Sequence, residues 1–102
     1  MIDSGCAVAL ASDFNPGSCY TYSIPLLFAL AVMGMHLTME EALTAMTLNA
    51  AAAIGLADSC GSIEPGKQAD LLILKESDYR YLVYHTGINM VDHVIKGGEF
   101  LW

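Results

Sequence analysis

Apolar and polar positions divide the chain into a short unbroken apolar run, a long helical stretch and a terminal region of alternating character. Cys6 to Ser12 (CAVALAS) is apolar without alternation, the pattern of a strand covered on both faces, as in a parallel sheet. The breakers of Asp13-Phe14-Asn15-Pro16-Gly17-Ser18 then predict a turn. A helix is expected from about Ser23, with the serine as N-cap and Pro25 tolerated in the first turn. Its body (Ile24, Leu26, Leu27, Phe28, Leu30, Val32, Met33, Met35) is apolar all round, which places it inside something larger. Thr38-Met39-Glu40-Glu41 reads as a capping box, and the helix it opens carries Ala42, Leu43, Met46 and Ala50 on one face. Thr47 and Asn49 predict a break into two shorter helices, and Gly55 an end to the helical region.

From Asp58 to Lys67 the chain reads as a loop, and Leu71–Leu74 as a strand. Tyr79, Tyr81, Val83 and His85 alternate with other residues and predict an extended stretch. Val91–Lys96 and Glu99–Trp102 flank Gly97-Gly98, a hairpin signal because both glycines tolerate positive φ. The order is therefore one buried strand, two or three helices, then a small β region. A lone parallel-type strand has no partner in these residues, so its neighbours are expected outside them.

Composition sharpens that expectation. Of 102 residues, 55% are hydrophobic and only 15% charged, against roughly 25% charged in ordinary soluble domains. With a mean hydropathy of +0.48, disorder is excluded, and the shortage of polar surface suggests a segment of a larger protein. The net charge of −7, with four basic residues against eleven acids, argues against nucleic acid as a partner. Lys67, Lys75, Arg80 and Lys96 all lie in the last third, which suggests two parts meeting near Gly66. Cys6, Cys19 and Cys60 have neither disulfide nor zinc-knuckle spacing and read as buried, reduced cysteines of a cytoplasmic protein. No signal peptide is evident, and the 14 residues Ile24–Leu37 fall short of the about 20 that span a membrane.

The strongest chemical candidate is the loop S-D-F-N-P-G-S at residues 12–18. Barrel enzymes place catalytic acids just past the C-terminal end of a buried strand, which is where Asp13 falls. Asn15 and Ser18 bring an amide and a hydroxyl to the same loop, and Gly17 permits close backbone approach. The plainer alternative is that Asp13 and Asn15 only satisfy turn amides. His36, His85 and His93 form no pair at ligand spacing, and Glu40 and Glu41 are assigned to capping.

S-D-F-N-P-G-S, T-M-E-E-A-L-T-A-M-T-L-N-A-A-A-A-I-G-L, G-S-I-E-P-G-K-Q-A-D-L-L-I-L and Asp78-Tyr79-Arg80-Tyr81 with Tyr84-His85-x-Gly-x-Asn89 together resemble the C-terminal part of the imidazolonepropionase family. T-x-N-A-A and P-G-K-x-A-D-L mark the wider amidohydrolase superfamily, whereas S-D-F-N-P-G is particular to this branch. The resemblance implies an α/β segment: the last strand and helices of a metal-dependent (β/α)8 TIM barrel over residues 1–62, and the C-terminal part of a composite β-sandwich over residues 63–102. It implies hydrolysis of 4-imidazolone-5-propanoate to N-formimidoyl-L-glutamate in histidine degradation. Asp13 would ligate a zinc or iron ion and carry a proton, while Asn15, Gly17 and Ser18 would contact substrate. The other metal ligands, and the Arg and Tyr that bind substrate, lie upstream in the family, so this chain alone is expected to be inactive. A homodimer is also implied. Two departures stand out: Tyr20 in place of the family's proline, and Thr86 in place of an aromatic. A different amidohydrolase, such as a deaminase or cyclic-amide hydrolase, and a non-catalytic structural module are the alternatives.

Overall fold

Phe28 organises the helical half of the protein, which a computed structural model describes over residues 1–102. Its ring is 2% exposed and forms a core with Ala31 and Ala42, against which Leu10, Val32, Leu37, Met39 and Met46 pack. Helix α1 (Ile24–Ala29) starts as the sequence predicts, with Ser23 Oγ accepting from the amide of Leu26 and Pro25 in the first turn. The expected long helix then widens into a π-helical turn, Leu30–Gly34, closed by the Met35 amide on the Leu30 carbonyl. Only one side of this stretch is covered: Ile24, Leu30, Met33 and Met35 are each more than half exposed.

Helix α2 (Met39–Met46) carries the predicted capping box: Thr38 Oγ1 accepts from Glu41 N, and Glu41 Oε2 accepts from Thr38 N. Its buried face is Ala42 and Ala45, whereas Leu43, expected inside, is exposed. Small side chains let α2 lie close to its neighbours, and the larger Leu43 is turned outward. Thr47 breaks the helix as expected, its hydroxyl donating back to the Leu43 carbonyl. Helix α3 (Leu48–Ala53) ends in a Schellman motif, with Leu56 N on Ala51 O and Gly55 N on Ala52 O.

Two expected elements differ. Cys6–Ser12 runs beside the helices but joins no strand ladder. Leu10 N donates to Ala45 O and Asn49 Nδ2 donates to Val8 O, so one face is held while Ala7, Ala9 and Ala11 stay exposed. A strand is defined by its partners, and no neighbouring strand lies here. The Tyr79–His85 stretch, expected extended, contains a short helix α4 (Tyr81–Tyr84) that packs on α1. Helical spacing brings Tyr79, Leu82 and Val83 together onto the Phe28 core, a grouping that a strand would split between two faces. The cysteines are free, but they are not buried: Cys6 is exposed, and Cys19 and Cys60 are half-buried.

The remainder is a three-stranded antiparallel sheet in the order β1 (Leu71–Leu74), β2 (Val91–Lys96), β3 (Glu99–Phe100). Gly97 and Gly98, at φ 59° and 86°, form the predicted hairpin turn. Asp70 pins that turn by accepting from Lys96 Nζ and Gly97 N. No helix is long and apolar enough to cross a membrane.

Candidate functional site

The 12–18 loop is built around the side chain of Asn15. Its Oδ1 accepts from the amides of Gly17 and Ser18, each at 2.8 Å, and its Nδ2 donates to the Asp13 carbonyl at 2.6 Å. The Asn15 amide donates to Cys19 O at 2.8 Å, closing the loop at its base. Cys19 Sγ reaches back to the Ser12 carbonyl at 3.1 Å. At Gly17 an added Cβ would lie 3.2 Å from Asn15 Oδ1, so the close approach suits glycine. Phe14 and Tyr22 meet edge to face at 5.4 Å, and Tyr20, standing where the resemblance expects proline, is 76% exposed.

Asp13 sits at φ 51°, a left-handed conformation uncommon outside glycine but comparatively tolerated by Asp and Asn. Its side chain is exposed and enters no ion pair. The turn therefore uses the Asp13 carbonyl and leaves its carboxylate available to a ligand. Asn15 divides differently: its amide is committed to the loop, as are the backbone amides of Gly17 and Ser18. The Ser18 hydroxyl, at 3.4 Å from Asn15 Oδ1, is the loosely held donor.

A metal ion needs more than Asp13 offers. No three His, Cys, Asp or Glu side chains gather in a metal-binding group, and catalytic centres take about three protein ligands. His36 follows Met35, the C-cap of the π turn, at φ 60°, His85 stacks on Tyr81, and His93 Nδ1 lies 3.0 Å from the Trp102 carbonyl. None joins the loop.

A second polar group, not anticipated from sequence, ties α4 to the helices. The Tyr79 hydroxyl donates to Glu40 Oε1 at 3.2 Å, so of the two glutamates only Glu41 caps. Burial, then the Glu40 charge, raises the tyrosine pKa. Arg80 Nε donates to Asp78 Oδ2 at 2.8 Å, and this contact lowers the Asp78 pKa. Asp78, Arg80, Tyr81 and Tyr84 line an open cleft of about 410 Å³, which residues 12–18 do not line.

The sequence profile of the amidohydrolase family matches residues 1–101, and the chain belongs to that family. It is 59% identical over all 102 residues to an imidazolonepropionase of Porphyromonas gingivalis and 60% identical over 99 residues to one of Parabacteroides distasonis. An imidazolonepropionase of Clostridium tetani is 56% identical over 102 residues. The chain spans about a quarter, 24%, of the length of each of these curated relatives. A crystal structure of an amidohydrolase from Thermotoga maritima superposes with a TM-score of 0.75 at 27% identity, covering 99% of this chain and 24% of that one.

Proposed function

We propose that the chain is the C-terminal part of an imidazolonepropionase, the hydrolase that opens 4-imidazolone-5-propanoate to N-formimidoyl-L-glutamate in histidine degradation. The observation that carries this reading is the 59% identity to a protein of that name over the whole chain. In this reading residues 1–62 complete a TIM barrel and residues 63–102 complete a β-sandwich. The exposed apolar side of α1 and the π turn, with Ile24, Leu30 and Met33, supports the presence of further chain against it.

Asp13 would hold one coordination position at a zinc or iron ion. Such an ion, when bound, would lower the pKa of a water enough for it to attack the ring carbonyl carbon at neutral pH; the C–N bond to that carbon breaks, and the formimidoyl group stays intact on the product. Asp13, free of partners within the loop, takes the proton of the attacking water and hands it to the departing nitrogen. The substrate carboxylate competes with Asn15 Oδ1 for the Gly17 amide and the Ser18 hydroxyl, and the second Nδ2 hydrogen of Asn15, the first staying on the Asp13 carbonyl, completes that contact. A homodimer in the cytoplasm accompanies the reading, and the 102 residues alone turn over nothing because most of the ligands are missing.

The test is an assay of the complete polypeptide carrying this sequence, with 4-imidazolone-5-propanoate and after exhaustive chelation. Turnover that chelation abolishes, and that Asp13→Ala lowers about a hundredfold or more, is the expected result. Hydrolysis of a different cyclic amide or a deamination, with no turnover of this substrate, would assign the chain to another amidohydrolase.

A further inference from the structure

Both peptide groups flanking Asp13 are held by side chains. The carbonyl on its N-terminal side, that of Ser12, accepts from Cys19 Sγ at 3.1 Å, and its own carbonyl accepts from Asn15 Nδ2 at 2.6 Å. Between these two points Asp13 is kept at φ 51° with its carboxylate exposed. Aspartate tolerates that conformation better than most non-glycine residues, and the two side-chain contacts fix the peptide groups on either side of it. The Cys19 carbonyl also takes the Asn15 amide, so Cys19 supports both halves of the arrangement.

From this we infer that Cys19 is a positioning residue: its thiol and Asn15 form a two-point clamp that aims the Asp13 carboxylate. The inference rests on the proposed function for what Asp13 does, but the clamp is a property of the loop. Cys19 is half-buried, and its sulfur is occupied by the Ser12 carbonyl and, more distantly, by that of Thr21 at 3.6 Å. This accounts for one of the cysteines without a disulfide or a metal.

The clamp is tested in the complete polypeptide with Cys19→Ala, which removes the donor, and Cys19→Ser, which keeps one. Hydrogen exchange of the 13–18 segment is compared with that of α2 as an internal reference. In Cys19→Ala, exchange at the Asn15, Gly17 and Ser18 amides is expected to quicken about fivefold, the scale of one lost hydrogen bond, with α2 unchanged. Cys19→Ser is expected to restore most of the protection. In turnover, Cys19→Ala lowers kcat about tenfold while KM stays within about twofold, and serine rescues it. Unchanged exchange in Cys19→Ala, or exchange in Cys19→Ser as fast as in Cys19→Ala, overturns the clamp. If the unsubstituted polypeptide fails to hydrolyse 4-imidazolone-5-propanoate, the proposed function falls, while the exchange comparison still decides the clamp.

Discussion

Gly61 illustrates how much of the residue scale depends on neighbours distant in sequence. It lies at φ 96°, and a Cβ there would come within 2.8 Å of Ala51 Cβ, 3.0 Å of Leu48 Cα and 3.1 Å of Thr47 O. Two of those three atoms are backbone and cannot move aside cheaply. Gly61→Ala is therefore expected to destabilise by about 2 kcal/mol or more, combining left-handed strain with a clash. Gly34→Ala, at a negative φ with open space around it, should cost less than about 1 kcal/mol, and urea midpoints of the two variants check the ordering. In the sequence Gly61 is only one of several glycines in a loop. Asp13 is comparable: its place after an apolar run was readable, but the left-handed conformation and the free carboxylate were not.

At the scale of elements, local chemistry was readable wherever a few adjacent residues decide the outcome. The Thr38–Glu41 capping box, the break at Thr47, the Gly55 terminus and the Gly97-Gly98 hairpin all stand as the sequence predicts. The Tyr79–His85 stretch differs from the extended form its pattern predicts: four alternating positions fit a strand, while a helix lets Tyr79, Leu82 and Val83 reach the core together. Asp70 adds a pH dependence to the hairpin. Its pKa is lowered, chiefly by the Lys96 ammonium and then by the Gly97 amide. A carboxyl with a lowered folded pKa contributes stability above the ordinary aspartate range and loses it as pH falls through the folded value. Acidification through that window should therefore lower the urea midpoint of the unsubstituted protein more than that of Asp70→Asn.

On the scale of the whole molecule, the main observation is how little is enclosed. Seven of 102 residues are buried, while Tyr20, Tyr22, Ile24, Met33 and Ile54 stand more than half exposed. The Cα radius of gyration of 14.1 Å exceeds the about 13 Å usual for this length. The isolated chain is thus expected to bind a hydrophobic dye strongly and to self-associate in sedimentation, whereas the complete polypeptide should do neither to the same degree. A dye-silent, monodisperse isolated chain would instead favour an independent structural module. The sequence alone determined the capping, the breaks, the hairpin, the shortage of polar surface and the 12–18 loop, because each depends on residues close together or on composition. Tertiary structure decided that Cys6–Ser12 lies on helices without a ladder, that residues 79–83 close the Phe28 core, and that Cys19 holds the carbonyl before Asp13. Those outcomes require groups separated along the chain to compete for the same space and the same hydrogen bonds, and local pattern does not register that competition.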